Sequence, residues 1–241
     1  FGAFSQGILV GVMLNSCGLY QGHQAAFDVA TGVIPSHRGN QIFSNLFTLA
    51  QQILQQHQVK QYYLEVLQQN KRAIALYHRL GFSITRDFVV LMGSDSKVTW
   101  HPKQVQYASF SKFDFPCVTD LRQNKPSYEH SDYILKQHPD RYTAAYIKEQ
   151  NSSAWCVFSK ATGQILQFAW SDTEVLREVV QALLMRYPHA TVKNIDSSEQ
   201  QLLEILKELQ FKVVAKQYEM VRNISDDSTL PNHFVKFSLP R

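Results

Sequence analysis

Two stretches of this chain carry side chains whose types and spacing could do chemistry. The first is Thr31-Gly32-Val33-Ile34-Pro35-Ser36-His37-Arg38-Gly39-Asn40-Gln41-Ile42, in which a β-rich run meets a Pro turn and then the start of a helix. The first N–H groups of a helix have no partner within it, and the helix dipole adds partial positive charge. An anion therefore docks there at little cost. Arg38 adds a fork of donors, and Gly39 lets the backbone come close. Phosphate binding is the chemistry this arrangement suits, although from this loop alone a Gly-capped turn accounts for it equally well. The second stretch is Leu64–Phe82, where Asn70 precedes a helix that carries Tyr77. A phenol, with a pKa of about 10, can protonate a leaving group within hydrogen-bond reach. Asn70 suits a helix N-cap, and Tyr77 also fits an apolar stripe with Ala73, Leu76 and Leu80 as a ring packed into a core.

The elements that must position these groups follow from periodicity. Ile8–Leu14 and Ala25–Ile34 read as two strands of a hairpin, with Asn15–His23 as the link between them. A helix is expected from about Gln41 to Gln56, with Ile42, Leu46, Leu49 and Ile53 on one face and Phe43, Phe47 and Leu54 beside them. Tyr62–Leu67 is a strand, Lys71–Leu80 a helix and Ser83–Met92 a strand. The polar run Gly93–Lys103 marks a boundary. Beyond it, Val105–Phe115, Tyr142–Ile147, Ala154–Ser159 and Gln164–Trp170 read as strands, and Ser127–His138 and Glu174–Arg186 as helices. Ser225–Asn232 is loop-like and the ending strand-like.

The bulk composition excludes several classes. The chain has 241 residues, 44% hydrophobic and 18% charged, which is globular composition. Its net charge is +4, and the 24 basic residues are scattered, so no nucleic-acid stripe is expected. Three cysteines, Cys17, Cys117 and Cys156, show no metal or redox spacing, so neither a metal site nor a disulfide framework is expected. The longest early apolar run, Ile8–Leu14, is too short to span a bilayer, and no basic residue precedes Arg38. A cytoplasmic protein without membrane contact is the expectation. Phe1 to Phe4 already reads as strand, so the natural N-terminus is expected to lie upstream.

A displacement of 129 residues aligns parts of the two halves without a gap. Ala73, Leu76, Tyr77 and Leu80 fall on Leu202, Ile205, Leu206 and Leu209, and strand Tyr62–Val66 falls on Thr191–Ile195. Two copies of one α/β unit are expected. The second copy loses the chemistry: Leu206 stands at the place of Tyr77 and Glu199 at that of Asn70. No glycine occurs from Trp170 to Arg177, where Asp172 and Glu174 would repel an anion. Trp155, Trp170 and Tyr142 read as core rings, with a cleft lining as the alternative.

Taken together, the two stretches resemble the GNAT superfamily of acyl-CoA-dependent N-acetyltransferases. The first family signature is met at Gly32-Val33-Ile34-Pro35 and Arg38-Gly39-Asn40-Gln41-Ile42-Phe43. The second is met at Leu64, Glu65, Val66, Asn70, Ala73, Leu76, Tyr77, Gly81 and Phe82. The resemblance is strong over 25–92, weaker over 1–24, and that of a degenerate copy over 130–222. It implies an α/β fold (α+β in some schemes) of two tandem units, each a mixed, mostly antiparallel sheet flanked by helices. The implied layout is an acetyl-CoA-binding domain over 1–97 lacking the family's first elements, a linker over 98–103, and a degenerate domain over 104–241. Gln41 and Phe43 depart from the pattern, standing where the family has small residues.

The resemblance further implies acetyl transfer from acetyl-CoA, as co-substrate, to a primary amine on a small molecule or peptide. Coenzyme A would be held by Val33, Ile34, Arg38, Gly39, Asn40, Gln41, Ile42, Phe43, Asn70 and Ala73, with no metal. An amine with a pKa of about 10 must lose a proton before it attacks. The thioester oxygen needs N–H donors, which the family takes from the strand near Val33. Tyr77 is the implied general acid. Asp28 is the leading candidate base, with Glu65, His37 and a relaying water as alternatives. A binding module that kept the fold and lost the reaction is the alternative function. The acceptor and the oligomeric state are not given by the sequence.

Overall fold

Gln21 and Gly22 join the first long hairpin, and both sit at positive φ (50° and 84°), the conformation of the two-residue turns that match strand twist. In the computed structural model, which describes residues 1–94, 105–113, 122, 125–149 and 152–224, this turn lets β2 (Ile8–Tyr20) pair along β3 (His23–Val33). The expected link Asn15–His23 is therefore mostly strand. Gly18, inside that expected link, lies in β2 opposite Ala25. Asn15 and Ser16, polar residues of a type common in turns, take cross-strand places opposite Asp28 and Phe27.

The chain forms two compact units, each discontinuous in sequence. The first joins Phe1–Glu65, Ala75–Ser83 and the chain from Met220; the second joins Val66–Ile74 and Ile84–Glu219. In the first, β1 (Gly2–Ser5), β2, β3 and β4 (Gln61–Leu67) lie in order, with the end of β11 (Lys212–Asn223) next to β4. In the second, the order is the start of β11, β5 (Ser83–Met92), β10 (Thr191–Asp196), β9 (Ile165–Trp170), β8 (Ser153–Ser159), β7 (Tyr142–Lys148) and β6 (Gln106–Ser109). β3 pairs with β4 and β9 with β10 in parallel, whereas β1 with β2, β2 with β3, β5 with β10, β6 with β7, β7 with β8 and β8 with β9 are antiparallel. The expected 98–103 linker and the 225–232 loop lie outside the described residues.

The first unit's helix α1 (Ile42–Gln56) buries Ile42, Leu46, Phe47, Ala50 and Leu54. Leu49, expected on that face, is exposed, because the buried stripe runs through Ala50 instead. Phe47, Tyr62 and Phe82 pack ring to ring with centroids 5.5–6.0 Å apart. Helix α2 (Lys71–Arg79) fully buries only Ile74, so the expected stripe of Ala73, Leu76, Tyr77 and Leu80 is half-buried. In the second unit, Trp155 and Trp170 are buried in core clusters. The long helix expected over 127–138 is confined to α3 (Asp132–Gln137), capped by the Ser131 hydroxyl, which accepts from Ile134 N. Of the expected strand Val105–Phe115, the described residues 105–113 hold the short β6 and then a 3-10 turn at Phe110–Lys112.

The repeat is visible in local structure. Helix α5 (Gln200–Glu208) is displaced from α2 by 129 residues at both ends. Both helices also stop in the same way. Gly81 (φ 84°) and Gln210 (φ 65°) are left-handed, and Phe82 N donates to Tyr77 O (3.0 Å) as Phe211 N donates to Leu206 O (2.9 Å). Helix α4 (Thr173–Arg186) follows β9 as α1 follows β3. Its start is closed by its own side chain, since Asp172 Oδ1 accepts from Glu174 N at 2.8 Å. No described helix is long and apolar enough to cross a membrane.

Candidate active site

The site is built where two parallel strands part. β3 and β4 pair only at Ala25, Ala26 and Phe27 opposite Gln61, Tyr62 and Tyr63. Past that point β3 continues for six more residues, to Val33, with β2 alone. Ile34 N donates back to Val10 O (3.0 Å). By the alternation of an antiparallel ladder, the N–H and C=O of Val33 then point away from β2, to the side β4 has left. There the Val33 carbonyl accepts Arg38 Nε at 3.0 Å. Of the expected strand donors, Val33 is so oriented, whereas the Ile34 N–H is already used.

β3 also carries one extra residue. Leu14 faces Ala30 and Asn15 faces Asp28, which leaves Val29 as a bulge. Its side chain is exposed. The insertion reverses the strand's parity, so Asp28 and Thr31 come to one face, along with Asn15 and Met13 opposite them. The contacts agree. Thr31 Oγ1 donates to Asp28 Oδ1 at 2.7 Å, and the Tyr62 hydroxyl reaches both Asn15 Oδ1 and Met13 Sδ.

Tyr77 enters this face from α2. Its hydroxyl donates to Asp28 Oδ2 at 3.4 Å, and its ring meets Phe43 (6.0 Å) and Phe82 (5.7 Å) edge-on. Burial, and secondly the Asp28 charge, hold the Tyr77 phenol above its usual range, so it is protonated at neutral pH. Burial likewise raises Asp28, opposed by the hydrogen bonds from Thr31 and Tyr77. A carboxylate whose proton affinity burial raises, beside a phenol that keeps its proton, is a base and an acid within reach of one another. His37 sits in the 3-10 turn Pro35–His37, its Nδ1 on the Ser36 hydroxyl.

The helix start offers the anion site. Gly39 (φ 86°) and Gln41 (φ 57°) are both left-handed, and Gln41 is the N-cap of α1 without a side-chain cap bond. The first intrahelical bond is Asn45 N to Gln41 O, so the N–H groups of Ile42, Phe43 and Ser44 have no helical acceptor. Arg38 to Gln41 are exposed, and nothing lies within 4 Å of where a Gly39 side chain would begin. A pyrophosphate fits this cradle in charge, donors and space. Phe43 does not crowd it: the ring packs against Phe47 and Tyr77. Asn70 Oδ1 accepts from Ala73 N at 3.2 Å and so caps α2; both residues belong to the compact unit that holds Val66–Ile74. Asn15, Thr31 and Tyr62 were not expected from sequence, because no motif marks them and their meeting depends on the bulge. An Asp and a Thr three residues apart in a strand carry no such signal.

Residues 1–82 match the model of the acetyltransferase (GNAT) family. No curated protein matches the sequence. Among solved structures, an acetyltransferase-type protein from Pyrococcus horikoshii superposes with a TM-score of 0.68 at 14% identity, over 90% of this chain and 71% of that one. A GCN5-related N-acetyltransferase from Sphaerobacter thermophilus gives a TM-score of 0.59 at 13% identity, over 90% and 78%. A tandem GNAT protein of the clavulanic acid biosynthesis pathway gives 0.62 at 11%, over 92% and 81%. At such identities the likeness establishes the fold. The family whose model matches residues 1–82 is the one read from the two signature stretches, and the mixed, mostly antiparallel fold is that of these solved structures, the tandem GNAT protein among them.

Proposed function

We propose, for a chain whose residues 1–82 match the GNAT acetyltransferase family and whose fold is of the GNAT type, that it transfers an acetyl group from acetyl-CoA to a primary amine. The amine belongs to a small molecule or a peptide. The observation that carries this reading is the 3.4 Å contact between the Tyr77 hydroxyl and Asp28, at the place where β3 leaves β4. The donor's pyrophosphate would lie on the start of α1 between Arg38 and Phe43, and Val33 N–H would face the thioester oxygen.

The ammonium loses its first proton to solvent, and Asp28 takes the second from the nitrogen as the neutral amine attacks. Tyr77 gives its proton to the sulfur as the carbon–sulfur bond breaks and the carbon–nitrogen bond forms. The Tyr77–Asp28 hydrogen bond then returns a proton from Asp28 to Tyr77, and the next amine meets the starting state. Asn70 and Ala73 act through the start of α2. The reading assigns the reaction to the first copy and a structural or acceptor-recognising role to the second, in a cytoplasmic protein.

Thiol release from acetyl-CoA across a panel of amines and N-terminal peptides tests the reaction, with calorimetry for donor binding. Heat without thiol release would mean a binding module. Gln41, held left-handed where the family has a small residue, is the feature that favours that second reading. No heat at near-millimolar donor would end both.

A further inference from the structure

Asp28 is held at both oxygens, by Tyr77 from α2 and by Thr31 from its own strand. The second hold exists only because of the bulge. In an even strand, residues three apart point to opposite faces. The extra residue at Val29 turns Thr31 onto the face of Asp28, and its hydroxyl donates over 2.7 Å, the shorter of the two contacts. This bond leaves Oδ2 to Tyr77, which fixes the direction in which the carboxylate can exchange a proton.

We infer that Thr31 is a positioning residue for this site: it holds Asp28 so that one oxygen faces Tyr77 and the other is spent, and it favours the ionised form of the carboxylate. The second half of that statement follows from chemistry, because a hydroxyl that donates to this oxygen stabilises the anion over the acid. Tyr77 also donates to Asp28 and adds to this, whereas Tyr62 and Cys17 do not. Tyr77 must turn its proton elsewhere during the reaction. Tyr62, from β4, spends its hydroxyl on Asn15. Cys17, two residues beyond Asn15 on β2, is neutral, its thiol raised by burial. The inference rests on the reading of Asp28 as the base, but its test does not need the reaction.

The test is a carbon-13 titration of the full chain labelled at Asp carboxyls, with Asp28 identified as the signal missing from Asp28→Asn. Thr31→Val keeps the shape and the strand preference of the side chain and removes the donor; Thr31→Ser restores it. The Asp28 midpoint is expected to move up in Thr31→Val and to return toward the original in Thr31→Ser. In kinetics, the acidic limb of kcat/KM should move in step. The rate at neutral pH should fall about tenfold, as for one lost hydrogen bond to a charged group, with KM for acetyl-CoA unchanged. A midpoint unmoved by Thr31→Val, or a Thr31→Ser that behaves like Thr31→Val, overturns the inference, as does a limb that ignores Thr31→Val. If the unaltered chain transfers no acetyl group, the proposed reaction fails, and the titration still decides the role of Thr31.

Discussion

Tyr77 and Asp28 come from sequence positions 49 residues apart, and the phenol donates to the carboxylate across 3.4 Å. The contact is long for an O–H donor, so the pair is loosely joined and the hydroxyl can turn toward a sulfur without a large loss. Tyr77→Phe keeps the ring against Phe43 and Phe82 and removes only the proton. It should lower kcat by about 100-fold, the lower range for a lost general acid, and leave the calorimetric affinity for acetyl-CoA within about twofold. An unchanged kcat would reduce Tyr77 to packing.

Gly39 separates backbone shape from contact. Its φ is 86°, and a Cβ placed there meets nothing within 4 Å. Gly39→Ala therefore costs only the left-handed backbone, about 1 kcal/mol, seen as a small drop in urea midpoint. If the loop relaxes to shed that strain, the cradle opens, and the affinity for acetyl-CoA should fall more than the stability does. Equal donor affinity in Gly39→Ala and the unaltered chain would mean that the loop does not hold the phosphates.

Much of this site was legible in the sequence, and the reasons are local. The Arg38-Gly39 loop and the Asn70–Phe82 helix unit are contiguous, so spacing alone places Tyr77, the Asn70 cap and the helix stop. Gly81 belongs to the second signature stretch, and its left-handed stop is also adopted by Gln210, so the helix end accounts for that conformation. Thr31, Asn15 and Tyr62 were not legible, because which residues share a face of β3 turns on one unpaired residue. A bulge leaves no trace in hydrophobic alternation when the strand is already irregular, as at Asp28-Val29-Ala30-Thr31. The extent of β2 was missed for a related reason, since polar residues in a strand look like a turn until their partners are known.

Gly11 sits beneath the start of α1, where a Cβ would lie 2.7 Å from Ile42 Cγ2. Ile42 is buried and is the first residue of the helix whose N-terminus is read as the anion site. Gly11→Ala must move Ile42 or the strand, an overpacking that costs about 1–3 kcal/mol. Thermal melting should show the loss. Because the displaced residue is the helix start, donor affinity should fall with it, whereas Gly22→Ala, in the hairpin turn, would change stability alone. A variant as stable as the original would show that the α1 start yields freely.

His130 in the second unit supplies a pH dependence of known sign. It is 4% exposed, and burial, with the Lys193 charge second, pushes its pKa down to about 3. Gln167 Nε2 donates to its main-chain carbonyl at 2.6 Å, and Gln164 Nε2 approaches its ring at 3.5 Å. In the unfolded chain an imidazole binds a proton below about pH 6.5. Between that pH and about 3 the unfolded state therefore carries a proton that the folded state refuses, and stability falls as the pH falls. The contribution is fully present above the unfolded value and is lost progressively on acidification. Melting temperatures across pH 7 to 4 should decline, and His130→Gln, which cannot ionise, should flatten that decline whatever its stability at pH 7. An equal slope in both proteins would place the acid sensitivity in other groups.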